Sequence, residues 1–177
     1  MAVAATLHCL TGCAIGEIAG LVIGTALGLS TLQTIALAIG LAFLFGYTLS
    51  TLPLLRAGLG LGAALTLVLA ADTLSIATME VVDNLVMAAV PGAMEAGLGN
   101  VVFWVAMPIA FAVAFAAAVP VNLWLLRRGR GHALTHEHMS GGTPTGWRRL
   151  VPDLSTPMLV TALLAFTAGG LLVAAAG

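Results

Sequence analysis

Lysine is absent from this 177-residue chain, and only 7% of the side chains are charged: six arginines and seven carboxylates. A soluble domain carries about 25% charged residues and needs that polar surface to wrap a core. The shortage excludes an ordinary soluble enzyme and a disordered chain. The formal net charge of -1 provides no field to draw in a polyanion, so nucleic acid is excluded as a partner. Strand-like alternation is also missing, and the apolar runs are far longer than a barrel strand of about 10 residues. What is plentiful is hydrophobic side chains, at 60% of the chain. The composition predicts an all-α polytopic bundle whose solvent is the lipid bilayer.

A helix needs about 20 apolar residues to span the hydrocarbon core. Five stretches qualify: 3–27, 32–52 (stopping at Pro53), 59–90 (stopping at Pro91-Gly92), 101–126 and 158–176. They make one transmembrane domain over 1–177, with a long Gly/Pro-containing loop at 127–157. The amino-terminal segment has no basic leader, and Gly12, Cys13 and Glu17 interrupt its apolar run, so it is expected to be a span and not a cleaved signal. Arg127, Arg128, Arg130, Arg148 and Arg149 fall in the loop after the fourth span, and Arg56 lies between the second and third. With five helices these two loops share a side. The positive-inside rule makes that side cytoplasmic, with the N-terminus inside and Gly177 outside.

Gly12, Gly16, Gly20, Gly24 and Gly28 recur every fourth residue along the first span. Small residues at this spacing let membrane helices approach closely, within one bundle or between copies in a homo-oligomer through helix 1. Pro108 and Pro120 mark kinks in the fourth span, and Trp104, Trp124 and Trp147 sit near span ends as interfacial anchors.

The polar residues inside the spans are the informative ones. A charge near the bilayer centre costs at least about 2.5–3.5 kcal/mol, and such residues mark function by default. Glu17 lies in the first span, and Asp72, Glu80 and Asp83 lie in the third. At 100° per residue, Asp72, Met79, Asp83 and Met87 form one stripe flanked by Ser75 and Glu80, while Leu74, Val81, Leu85 and Ala88 face away. Methionine on a helix is usually core filler; here Met79 stands among carboxylates. On the first span Cys9, Cys13 and Glu17 follow one another at i, i+4 and i+8, with His8 beside them. Thiolate and imidazole suit Cu(I) or Zn, although a buried free cysteine also serves as a small hydrophobe. In the long loop His132, His136 and His138 form a short histidine-rich tract of the kind that binds metals, or a merely solvated loop.

The segments His8–Glu17, Ala71–Asn84 and Pro120–Leu125 resemble a family of small bacterial membrane proteins known as a domain of unknown function. The resemblance spans roughly residues 8–138. It implies a helical integral membrane protein of the bacterial inner membrane and supplies no activity.

From the residues themselves, the expectation is a carrier or exporter for a transition-metal cation, copper or zinc. The loop histidines collect the ion, His8, Cys9 and Cys13 receive it, and Glu17, Asp72, Met79, Glu80 and Asp83 bind it further along or exchange protons. Two other readings stand beside it: a non-catalytic accessory or assembly subunit, and an intramembrane thiol-dependent enzyme. No serine-triad, phosphate-loop or His-Glu-x-x-His pattern supports an enzyme, so no catalytic residue is assigned.

Overall fold

The computed structural model describes residues 2–127, 146–152 and 154–176. Five long helices make up these residues: α1 (Ala2–Ala26), α2 (Thr31–Arg56), α3 (Leu61–Ala89), α4 (Val101–Arg127) and α5 (Thr156–Ala176), with a 3-10 turn at Gly146–Leu150 before α5. All five have a stretch long and apolar enough to cross a bilayer. Their outward faces carry Leu69, Leu74, Val81, Leu85, Ile109, Val113, Leu164 and Leu172, the surface a bundle turns towards lipid. The chain is a multi-pass helical membrane protein.

The ends of these helices follow from local chemistry. Ser30 opens α2, where its N–H donates to Gln33 Oε1 at 3.0 Å, the reach-back half of a capping box. Asn100 opens α4, its Oδ1 accepting the N–H of Val102 at 2.9 Å. The expected stop of the second span at Pro53 does not occur: α2 continues a turn further, to Arg56. Proline forfeits one helical hydrogen bond, but the last turn is held by Leu54, which is fully buried against Ala64 and Val68 of α3.

The closest packing is between α1 and α2, and glycine makes it possible. A Cβ on Gly12, Gly16 or Gly20 would collide with the backbone of Gly46, Ala42 and Ala38 respectively, and one on Gly24 with the Thr34 side chain. The partners descend by four as the glycines ascend by four, the register of two antiparallel helices touching backbone to backbone. Gly46 is in turn covered by Ile76 of α3. The glycine face of α1 is therefore occupied by α2 of the same chain. Gly28 departs from the repeat: it lies beyond the end of α1 with φ +65°, and nothing approaches its Cβ position. It is a left-handed turn residue, where glycine carries no steric cost.

Helix α5 is peripheral. It leans on α4 where Gly170 admits the Trp104 ring, which also meets Phe166 at 5.4 Å between centroids. Trp104 is thus buried between helices, with its indole N–H donating to the Leu98 carbonyl at 2.6 Å, and is not the interfacial anchor its position suggests. Trp124 and Trp147 are exposed.

At one end of the bundle the α2–α3 turn meets the segment leading into α5. Arg148 donates to the Gly58 carbonyl at 2.9 Å and Arg56 to the Val151 carbonyl at 3.1 Å. His8, near the start of α1, bonds the Leu154 carbonyl at 3.0 Å. The start of α1 and both arginine-bearing connections therefore share one end. The opposite end is formed by the α1–α2 turn and the connection at 90–100, which carries Glu95 and no arginine.

The glycine contact carries a stability prediction. Gly16→Leu is expected to lower the stability of the detergent-solubilised protein by at least the ~1–3 kcal/mol typical of overpacking, because backbone and not a flexible side chain stands in the way. Gly40→Leu, on an open face of α2, is expected to be near neutral. Thermal unfolding of the two variants side by side provides the check; equal melting temperatures would contradict the account.

Candidate functional site

The third helix buries the face that its sequence marks as polar. Asp72, Ser75, Met79, Glu80, Asp83 and Met87 are all buried, while Leu74, Val81, Leu85 and Ala88 are exposed. The usual logic of a membrane helix runs outward here: apolar residues meet the lipid, and acids meet the neighbouring helices.

What those acids meet is the polar line of α1. Cys9 lies beside Asp72, with Ser75 of α3 and Ser50 of α2 around it. Cys13 lies beside Glu80. Glu17 faces Asp83. Both helices run in the same direction, so the residues climb together: 9, 13 and 17 on α1 against 72, 80 and 83 on α3. The result is a seam of three rungs, thiol to carboxylate twice and carboxylate to carboxylate once. At 1.5 Å per residue it extends for roughly 12–16 Å along the helix axes.

The seam has a sealed end and an open end. Towards the arginine end, Asn122 of α4 donates through Nδ2 to Thr6 Oγ1 at 2.7 Å and to Ser75 Oγ at 2.9 Å. One carboxamide thereby ties α1, α3 and α4 together at the level of Cys9 and Asp72. Thr6, Cys9, Asp72 and Ser75 are fully buried, and Ser50 and Asn122 nearly so. Towards the opposite end the helices part around a cavity of about 400 Å³, lined by Glu17, Glu80, Asp83, Asn84 and Met87 below and by Met94, Glu95 and the α1–α2 turn above. The carboxylates of the two rungs nearest it, Glu80, Glu17 and Asp83, form its floor.

Hydrogen bonding leaves this floor unsatisfied. Glu80 is 3% exposed, and both of its carboxylate oxygens are buried with no hydrogen-bond partner; the same holds for Oδ1 of Asp83 and Oε1 of Glu17. Cys13 is the thiol that adjoins Glu80. The arginines among the described residues lie only at the last turns of α2 and α4 and in the 3-10 turn, away from the cavity. Among the described residues no three His, Cys, Asp or Glu side chains converge as a ready-made metal site.

Of the residues singled out from the sequence, Cys9, Cys13, Glu17, Asp72, Glu80 and Asp83 come together, with Met79 buried on the same face of α3. His8 does not join them; its ring is turned to Leu154. His132, His136 and His138 lie outside the described residues. Three participants had gone unassigned. Thr6 and Ser50 are hydroxyls in apolar helices that carry others, such as Thr11 and Thr48, and no spacing marks them out. Asn122 sits two residues after Pro120, where it reads as part of a kink; an amide in a run of apolar residues was the available signal.

Fold and site together define a small polytopic membrane protein whose five-helix bundle encloses a thiol and carboxylate seam. Within that class, the chain belongs to the family described as Domain of unknown function (DUF4396), whose model matches residues 1–131. The match takes in α1 to α4 and the whole seam, and leaves α5 outside. No curated protein and no solved structure matches the chain.

The Asn122 clamp is testable apart from any function. Interhelical hydrogen bonds in membranes average about 0.6 kcal/mol and reach about 1.7, so Asn122→Ala, which loses two, should cost roughly 1–3 kcal/mol. Chemical or thermal unfolding in detergent measures this, and an unchanged stability would show that the carboxamide does not hold the three helices.

Proposed function

We propose that this protein handles a transition-metal cation of the zinc or copper class in the membrane, as a carrier or exporter. The supporting observation is the register of the seam: two thiols and four carboxyl groups face each other across α1 and α3, and among the described residues no arginine lies at Glu17, Glu80 and Asp83. Carboxylates cost too much in a bilayer to be kept as filler, and thiols in the same line add ligands for soft and borderline metals. A cation entering the seam would provide the positive charge it lacks.

The arginine end is assigned to the cytoplasm on the positive-inside rule, which places the cavity on the outer side of a bacterial inner membrane. The histidines at 132, 136 and 138 would then collect or release the ion at the far end of the seam. A second copy of the chain, if it binds α1, has to use the exposed face around Ile15 and Val22, since α2 covers the glycines.

An accessory subunit remains the second reading, favoured by the thinly packed α5, which presents most of its surface outward. Metal content separates the two. Protein purified under reducing conditions is expected to carry zinc or copper in stoichiometric amount, and Cys9→Ser/Cys13→Ser should lose most of it. No stoichiometric metal in either protein would refute the proposal.

A further inference from the structure

The cavity adds a site and a direction that the seam alone does not give. We propose that its floor, Glu17, Glu80 and Asp83, is the entry site for a hydrated divalent cation of the borderline class, reached only from the end without arginines. The proposal rests on the metal-handling reading and narrows it to a carrier loaded from that end, which sets the exporter form aside.

Four observations carry the argument. First, Glu80 lies at the base of the cavity: the residue lines the space and is 3% exposed, and its two carboxylate oxygens, just beneath the accessible surface, have no hydrogen-bond partner. A buried carboxylate left in this state is costly unless a ligand or water supplies its partner. Second, the space is the right size for an ion with its water shell. With liquid water taking about 30 Å³ per molecule, about 400 Å³ holds on the order of ten waters. The three carboxylates do not close on a bare ion, and they do not need to if water completes the shell.

Third, the two ends of the seam differ in kind. At the level of Cys9 and Asp72, Asn122 bonds the hydroxyls of Thr6 and Ser75, and all of these side chains are buried. Access is therefore one-sided. Fourth, the order of ligands selects the ion. Oxygen ligands come first, then Cys13 beside Glu80, then Cys9 beside Asp72. Cu(I) prefers thiolate and thioether and gains little from a carboxylate floor, whereas Zn2+ binds both oxygen and sulfur ligands. A path that begins with carboxylates and ends with thiols fits a zinc-like divalent cation.

The test uses the full chain carrying Cys9→Ser/Cys13→Ser, so that the deeper thiol ligands are absent, together with Asn84→Cys as a reporter on the cavity wall. Met94→Cys, nearer the mouth, replaces it if the first variant does not fold. Gly60→Cys, exposed at the arginine end, is the control of sidedness. A membrane-impermeant maleimide applied to intact cells should label the cavity reporter and spare Gly60→Cys, with the reverse in inverted vesicles. Zn2+ at about ten times its dissociation constant should slow labelling of the reporter roughly tenfold. Adding Glu80→Gln/Asp83→Asn should abolish that protection. Labelling of the cavity reporter from the arginine side, no labelling from either side, or labelling that Zn2+ does not slow through these carboxylates would each overturn the proposal. Protection that persists while the purified wild-type chain shows no thiol-dependent metal would overturn the thiol reading and leave this site standing; the opposite pattern would remove the entry site alone.

Discussion

The structure depends on one constraint: four carboxyl groups that belong to membrane-spanning helices cannot face lipid. Exposure near the bilayer centre costs about 2.5–3.5 kcal/mol for each on the most lenient scale, a sum comparable to the total stability of many proteins. The chain meets this by turning α1 and α3 towards each other along their polar lines. The surrounding features follow from that choice. The apolar residues of α3 point outward because the acids point inward. Asn122 ties α4 to both helices, and Ser50 of α2 lies beside Cys9.

The glycine ladder is the other half of the same arrangement. Two helices can approach backbone to backbone only where side chains are absent, and Gly12, Gly16 and Gly20 supply that along α1. With α2 drawn so close on one side, the neighbouring lines of α1, about 100° round the helix, are left for α3 and α4. The α1 residues therefore divide cleanly by face: glycines for α2, the cysteines and Glu17 for α3, and Thr6 for the hydrogen bond from α4. A substitution on one face would be felt through the others, since the backbone of α1 has no room to move away from α2.

The five-helix class was legible from the sequence, because runs of some 20 apolar residues have no other stable use. The polar face of α3 could also be drawn from 100° geometry. The pairing of that face with Cys9, Cys13 and Glu17 could not, since periodicity within a helix says nothing about which neighbour it meets. Pro53 misled in the usual direction: local chemistry favours a helix end there, and the burial of Leu54 carries α2 past it. Gly28 looked like a fifth rung because it keeps the spacing of four, but the helix has already ended, and spacing has no meaning beyond a helix. Trp104 misled for a related reason, since position near a span end does not reveal that Gly170 on α5 leaves space for its ring. The cavity had no signature in the chain, because it arises where α1 and α3 separate beneath two connections.

The central claim is that the thiols and carboxylates of α1 and α3 act as one set of ligands. X-ray absorption at the zinc edge of the metal-loaded wild-type protein tests it most directly, because sulfur and lighter ligands scatter at separable distances. The account predicts a sulfur shell at about 2.3 Å together with oxygen at about 2.0–2.2 Å. A spectrum with light atoms alone near 2.0–2.2 Å, as carboxylates and water without the thiols, or histidines of the loop, would produce, would contradict it.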